Sequence, residues 1–173
     1  MKPGLTSIII LTYNNIEFTK VCLKSVLDYT SQPKTPFEII VVDNASTDGT
    51  QEYLQGLSDM HGIKVIYNKE NMGFPKGNNQ AAKIAEGEFL CLMNNDVIVT
   101  KDWLSNMLRA LRSDAKLAAV GPYCNHSSGE QMVANCPNFT DDKALQEMAQ
   151  KFTAPVMFKI IWINENPLPL IKH

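Results

Sequence analysis

The chain has 173 residues, of which 45% are hydrophobic and 20% charged, and its formal net charge at pH 7 is -2. This composition is typical of a globular protein that buries one good core, so we expect a single domain over residues 1–173. Lys and Arg residues are scattered rather than clustered, which argues against nucleic acid as a partner. We find neither an export signal nor a segment long enough to span a bilayer, and Cys22 and Cys91 fall in apolar segments typical of reduced thiols. These features favour a cytoplasmic protein.

The first elements are predicted from an apolar run and the helical spacing that follows it. Residues 7–11 predict a buried strand, and the next apolar residues recur with the period of a helix. Asn14 or Asn15 is the expected N-cap, and the helix should end before Pro33.

A second strand is predicted over residues 38–42. Asp48 and Gln51 stand three residues apart and have the form of a capping pair, which predicts the start of a short second helix. A third strand is expected over residues 63–67, followed by an irregular glycine-bearing loop over 68–77.

The remaining chain continues to alternate between helix and strand. We predict a helix over 78–85, a strand over 88–93, a helix over 102–111, a strand over 117–122, a loop over 123–138 and a helix over 141–151. Such alternation predicts an α/β fold with an open, mostly parallel sheet and helices on both faces.

Polar residues follow three of the apolar runs, at positions 12–15, 43–50 and 94–96. Parallel strands bind ligands at their carboxyl ends, so these three clusters are expected to converge on one crevice. Asp96 could offer oxygen ligands to a divalent cation that bridges the phosphates of a diphosphate. It could equally be a turn carboxylate that caps the next helix.

The other polar residues allow both a ligand-binding and a structural interpretation. The oxygens of Asp43 suit the N–H of a uracil or thymine ring or a ribose hydroxyl, but an Asx-turn would also explain this residue. Asp48 is interpreted as mainly structural. Thr12 and Tyr13 could hold a base, although the tyrosine could instead pack on a neighbouring loop. Residues 71–78 carry glycines, a lysine and amides that suit an anion, or form only a surface turn before a helix.

Together these motifs resemble the family 2 glycosyltransferases, and the resemblance covers residues 6–131. The matching segments are residues 9–14 (IILTYN), 41–50 (VVDNASTDGT), 71–74 (NMGF), 77–78 (GN) and 92–96 (LMNND). The resemblance implies the GT-A fold and transfer of a sugar, with inversion, from a UDP- or dTDP-linked donor to a glycan or lipid-linked acceptor. It implies Mg²⁺ or Mn²⁺ as cofactor, and the Asn-Asn-Asp variant is similar to the rhamnosyltransferase-like branch.

The resemblance also assigns site residues by position. Asp96 would hold the metal, and Asn94 replaces the commoner aspartate, which removes one carboxylate from the site. Lys76 would lie near the diphosphate. The full set of residues expected to bind the nucleotide-sugar is Thr12, Tyr13, Asn14, Asp43, Asn44, Gly73, Lys76, Asn78, Asn94 and Asn95.

The catalytic base is missing from this assignment. The family base is a carboxylate downstream of the metal motif, but Glu165 is the only carboxylate in residues 152–173 and its context does not match. Residues 132–173 look atypical, so we expect a chain truncated after its donor-binding half. The sequence leaves open whether the chain associates with the inner face of the cell membrane. It also leaves open a homodimer, in which a second copy would cover an unfinished hydrophobic face of the shortened sheet.

Two other classes of protein compete with a transferase. One is a non-catalytic nucleotide-sugar-binding module or inactive fragment, which the absent downstream acid motif would favour. The other is a different Rossmann-like nucleotide enzyme. Neither a Gly-x-Gly-x-x-Gly motif nor a P-loop occurs in the sequence, so this second alternative lacks its main support.

Overall fold

A computed structural model describes residues 1–30, 35–122 and 141–151 of the chain. Contacts divide it into two compact units, one containing Met1–Val99 and the other beginning at Thr100. The single domain expected from the sequence stays a prediction. In the part of the chain that the structure describes, no helix is long and apolar enough to cross a membrane.

The first unit is an open sheet of four parallel strands in the order β3-β2-β1-β4. This arrangement confirms the predicted parallel α/β architecture. Its elements in chain order are β1 (Lys2–Thr12), α1 (Ile16–Tyr29), β2 (Phe37–Asp43), α2 (Thr50–His61), β3 (Lys64–Tyr67), α3 (Gly73–Ile84) and β4 (Gly87–Asn94).

Helices cover both faces of this sheet. On one face Ile9, Ile40 and Val42 form a fully buried cluster with Ala81 of α3. On the other face Cys22 of α1 lies 3.9 Å, sulfur to sulfur, from Met93 of β4. Because side chains alternate along a strand, both faces of a central strand must be apolar when both are covered. This explains why the β1 and β2 sequences are continuous apolar runs.

Helix α3 begins five residues earlier than the sequence predicted, at Gly73 instead of residue 78. The glycines of this segment, which also contains Pro75, suggested a loop there. A proline is tolerated in the first turn of a helix, however, because the N–H that it lacks would have no partner within the helix. Gly77 allows close packing, since a Cβ at this position would meet Cδ1 of Leu11 and that side chain would have to shift.

In the second unit the structure describes α4 (Trp103–Leu111) and α5 (Asp142–Lys151), which confirms two predicted helices. The predicted strand over 117–122 is wrong, since an isolated bridge at Val120 is all that forms there. This run is short and alanine-rich, and alanine is depleted in strands. The predicted loop over 123–138 and Glu165 lie outside the described residues.

A network around the partly buried carboxylate of Glu38 ties β1, β2 and β3 together at the amino end of the sheet. Glu38 accepts hydrogen bonds from the Ser7 hydroxyl (2.5 Å), Lys64 Nζ (2.8 Å) and the Glu86 backbone N–H (2.7 Å). Burial by itself would raise the pKa of Glu38, but these hydrogen bonds and the Lys64 charge outweigh it and lower that pKa. The ionised form is therefore the one that stabilises the fold.

Acid should consequently weaken the protein in part through Glu38. Since the pKa is lower in the folded state, the stabilisation is present at neutral pH and is lost as the pH falls through the folded-state pKa. We expect Glu38→Gln to cost on the order of 1–2 kcal/mol at neutral pH and to flatten the acid side of the stability profile. Urea unfolding between about pH 7 and pH 3 measures this. Parallel profiles for the variant and the unmodified chain would contradict it.

Candidate functional site

The carboxyl ends of the parallel strands bring the predicted polar clusters to one edge of the sheet. In the strand register Thr12 of β1 lies beside Asp43 of β2, and Leu11 lies beside Asn94 of β4. Asp43 is in turn the neighbour of Tyr67 at the end of β3. The convergence expected from the sequence is therefore present within the first unit.

The loops that follow β1 and β2 are fastened to each other by hydrogen bonds. The Asn14 backbone N–H donates to the Ser46 hydroxyl (2.7 Å), and the Thr47 N–H donates to Asn14 Oδ1 (2.9 Å). Asn14, Asn15 and Ala45 adopt left-handed backbone angles, with φ of 55°, 60° and 67°. Asparagine tolerates this region better than most residues. The side-chain oxygen of Asn14 thus helps to hold the two loops together.

Asp48 caps two helices at once. Its Oδ2 accepts the Ile16 N–H of α1 (2.9 Å), while Oδ1 accepts the N–H (3.2 Å) and hydroxyl (2.6 Å) of Thr50 in α2. The Thr50 hydroxyl is the main cause of a lowered pKa for this carboxyl. The structural role predicted for Asp48 is confirmed.

The N-cap expected for α1 is confirmed at Asn15, although its side chain makes no capping hydrogen bond because Asp48 supplies the acceptor instead. The capping pair predicted for α2 is wrong. Gln51 does not complete a capping pair with Asp48, since its amide donates to Asp43 Oδ2 (2.8 Å).

Asp43 has no exposed surface and organises the loop after β2. Its oxygens accept the Ser46 N–H at 3.3 and 3.1 Å in addition to the Gln51 amide. Asp43 thus makes a local turn of the Asx kind, which was the structural alternative to base binding for this residue. Contact between Asp43 and a base stays a prediction that requires this loop to move.

Thr12 and Tyr13 face in different directions although they are adjacent. Thr12 is 1% exposed, and its hydroxyl lies 2.9 Å from the hydroxyl of Thr19 in α1. Tyr13 is 49% exposed, so its ring is open to stacking by an aromatic ligand.

The start of α3 contributes an exposed cation beside buried amides. Lys76 is exposed in the first turn, where the backbone N–H groups have no partner within the helix. Gly73 opens the helix with a φ of 74°. Asn78 is buried and donates to the Phe74 carbonyl (2.8 Å), and Asn44 Oδ1 accepts the Asn68 amide (2.8 Å). Gly73, Asn44 and Asn78 thus shape this region, while Lys76 faces outward.

At the end of β4, Asn94 and Asp96 are exposed and Asn95 is half-buried. The Asn95 amide donates inward, to the hydroxyls of Thr12 (3.1 Å) and Thr19 (3.0 Å). Within the described residues the Asp96 carboxylate has neither a hydrogen bond nor an ion pair. Asp96 is thus open to a ligand, whereas Asn95 is engaged inside the protein.

A divalent cation fits this edge when a ligand supplies most of its coordination. No group of three His, Cys, Asp or Glu side chains capable of holding a metal occurs in residues 1–30, 35–122 and 141–151. Asp96 offers one exposed carboxylate, and Mg²⁺ is commonly held by one or two carboxylates together with substrate phosphates and water. The residues present therefore fit a metal that arrives with a diphosphate.

Residue-by-residue reasoning did not identify Ser46, Thr19 or Asn68 as part of the site. Thr19 carried a signal, because it is a polar residue on the apolar stripe of α1 and is fully buried. A hydroxyl in such a position needs a hydrogen-bond partner, and its partners are Thr12 and Asn95.

Comparison with known proteins places this geometry in a family. The sequence profile described as Glycosyl transferase family 2 matches residues 7–162. The poly(ribitol-phosphate) β-N-acetylglucosaminyltransferase TarS of Staphylococcus aureus is 37% identical over 101 residues, which are 58% of this chain and 18% of that protein. The putative teichuronic acid biosynthesis glycosyltransferase TuaG of Bacillus subtilis is 35% identical over 108 residues, which are 62% of this chain and 41% of TuaG.

Solved structures give the same result for the fold. The mannosyltransferase PcManGT of Pyrobaculum calidifontis, in complex with GDP-Man and Mn²⁺, matches with a TM-score of 0.59 and 26% identity over 68% of this chain and 34% of that one. TarS in complex with UDP-GlcNAc matches with a TM-score of 0.55 and 33% identity over 61% and 30%. The chain thus spans less than half the length of these relatives. Its fold is that of the GT-A glycosyltransferases, and the chain belongs to glycosyl transferase family 2.

Proposed function

We propose that this chain forms the donor-binding part of a glycosyltransferase that takes a sugar from a nucleoside diphosphate. The observation that carries the proposal is the meeting of the polar strand ends of β1, β2 and β4 at one edge. Two similar structures hold GDP-Man with Mn²⁺ and UDP-GlcNAc, which supports a nucleotide-sugar as the ligand.

The exposed residues suit the parts of such a donor. The open ring of Tyr13 would stack on the base, with Asn94 near the ribose and Lys76 near the diphosphate. Asp96 would hold the divalent cation. When bound, Mg²⁺ or Mn²⁺ would neutralise negative charge on the departing nucleoside diphosphate, and the Lys76 ammonium would add to this stabilisation.

The proposed reaction is a displacement with inversion. A hydroxyl oxygen of the acceptor forms a bond to the anomeric carbon of the sugar, while the bond from that carbon to the diphosphate oxygen breaks. A general base takes the proton of the hydroxyl. We assign this base to none of the described residues, so the proposal for the described part is limited to donor binding.

The acceptor is proposed to be a glycan or a lipid-linked intermediate at the cytoplasmic face of a membrane. TarS is named for poly(ribitol-phosphate) and TuaG for teichuronic acid biosynthesis, which supports a polymeric acceptor. A rhamnosyltransferase-like specificity stays a prediction, since it depends on the Asn-Asn-Asp sequence at residues 94–96.

Calorimetric titration of the whole chain with UDP, GDP and dTDP, each with and without Mn²⁺, tests donor binding. We expect one nucleotide to bind with micromolar affinity, about -8 kcal/mol, and to bind more weakly without the metal. Absence of binding to all three nucleotides would contradict the proposal. Incubation of the preferred nucleotide-sugar with candidate acceptors then separates a transferase from a non-catalytic binding module.

A further inference from the structure

Asn95 occupies the centre of the Asn94–Asp96 turn, yet its side chain is directed into the protein. Its Nδ2 donates to two hydroxyl oxygens, Thr12 Oγ1 at 3.1 Å and Thr19 Oγ1 at 3.0 Å. Both threonines are buried, with 1% and 0% of their surface exposed. The amide therefore connects the end of β4 to the end of β1 and to helix α1 through two buried hydroxyls.

Every hydrogen-bond donor of these three side chains can be paired with an acceptor. The two Asn95 N–H groups supply one donor to each hydroxyl, and the hydroxyls lie 2.9 Å apart, so that one donates to the other. The Thr12 hydroxyl also reaches the Asn14 carbonyl at 3.5 Å. If Thr19 donates to Thr12 and Thr12 donates to Asn14, each of the hydroxyl and amide protons has an acceptor. Removing the Thr19 hydroxyl would leave one Asn95 N–H without its acceptor.

Helix α1 holds the same turn at a second point. The thiol of Cys22, one helical turn after Thr19, donates to the Asn94 carbonyl at 3.6 Å. Burial raises the pKa of this thiol to about 12, opposed by the Val97 backbone and assisted by the charge of Asp96, so the thiol stays protonated and able to donate. Helix α1 therefore holds the Asn94–Asp96 turn at two points, through Thr19 and through Cys22.

We propose that Asn95 is a positioning residue for the donor site and does not itself contact the nucleotide-sugar. By fixing its own side chain on Thr12 and Thr19, Asn95 leaves its neighbours Asn94 and Asp96 facing outward. This inference rests on the proposed donor site, because Asp96 is the residue whose direction matters. It also gives Thr12 and Thr19 a role in ligand binding although neither is exposed.

Thr19 allows a test that leaves every exposed residue unchanged. Thr19→Val keeps the shape of the side chain but removes the hydroxyl, whereas Thr19→Ser keeps the hydroxyl. Thr6→Val is the matched control, because Thr6 is equally buried and, among the described residues, its hydroxyl has no partner. All three variants are measured as whole chains beside the unmodified protein.

Two measurements distinguish a role in positioning the Asn94–Asp96 turn from a general loss of protein stability. The first is calorimetric affinity, in the presence of Mn²⁺, for whichever of UDP, GDP and dTDP the unmodified chain binds. The second is amide hydrogen exchange of residues 94–98 without nucleotide. We expect Thr19→Val to weaken nucleotide binding about tenfold and to speed exchange of this segment by a similar factor. Thr19→Ser should stay within about threefold of the unmodified chain, and Thr6→Val should change neither quantity.

Each outcome decides the inference. Unchanged affinity in Thr19→Val, with or without faster exchange, would mean that the hydrogen bonds serve the fold alone and would overturn it. Weaker binding without faster exchange would also overturn it, because the effect would not pass through the turn. If the unmodified chain binds no nucleotide, the proposed function fails, and the exchange measurement still decides whether Thr19 restrains the turn.

Discussion

Replacing Asp96 with alanine should abolish the effect of Mn²⁺ on nucleotide binding while leaving the fold intact. Asp96 is exposed at the end of β4, and its carboxylate is not used in a hydrogen bond or an ion pair within the described residues. Removing it therefore costs the folded protein little. It removes the one exposed carboxylate of the turn, and Asn94 offers only a neutral amide oxygen in its place.

The measurement is nucleotide affinity with and without Mn²⁺, together with the free Mn²⁺ concentration from its electron paramagnetic resonance signal. We expect Asp96→Ala to lose on the order of 100-fold in affinity with Mn²⁺ present, about 2.7 kcal/mol, and to bind equally with and without the metal. Asp59→Ala is the control, because Asp59 is also exposed but lies in α2. An unchanged Mn²⁺ effect in Asp96→Ala would show that the metal binds elsewhere.

The sequence was sufficient to predict the four strands of the first unit, although β1 begins at Lys2, five residues before its predicted start. Residues 8–10 of β1 and 40–42 of β2 are fully buried, since helices cover both faces of the sheet. A strand that is covered on both faces does not alternate between polar and apolar residues, so its sequence is an uninterrupted apolar run. The same environment explains why the polar residues after these runs stand out in the sequence as a candidate binding edge.

The failed predictions came from segments whose local signals were ambiguous. Two glycines suggested a loop over residues 68–77. Gly73 and Pro75 instead lie in the first turn of α3, where proline is harmless, and Gly77 allows close packing on Leu11. Residues 117–122 suggested a strand that does not form, since a short apolar run does not specify its partner.

The direction of side chains within the site depends on contacts that are distant in sequence. Asp48 caps α1 across 32 residues, and Asn95 reaches Thr19 across 76 and Thr12 across 83. Residue type at the strand ends indicated a binding site, but it did not distinguish Asp96, which faces outward, from Asn95, which faces inward. That distinction requires the folded arrangement of β1, α1 and β4.

The largest loss of stability is expected from Gly87→Ala. Gly87 opens β4 where this strand runs against the amino end of β1, and its N–H donates to the Ser7 hydroxyl at 2.9 Å. A Cβ at this position would lie 2.7 Å from the Ser7 backbone nitrogen, 2.7 Å from Ser7 Oγ and 2.9 Å from the Leu5 carbonyl oxygen. Two of these three atoms belong to the backbone of a central strand, which cannot move without disturbing the ladder on both of its sides.

We therefore expect Gly87→Ala to lower the free energy of unfolding by roughly 2–3 kcal/mol. Gly56→Ala is the matched control, because Gly56 lies inside α2 with no atom within 4 Å of an added Cβ. That change should raise stability by about 0.5–1 kcal/mol. Urea unfolding of both variants at neutral pH measures the two effects, which must have opposite signs if β1 and β4 approach each other as closely as described. Equal stability of the two variants would contradict this close approach, and with it the register that places Asn94 beside Leu11 at the other end of the same strand pair.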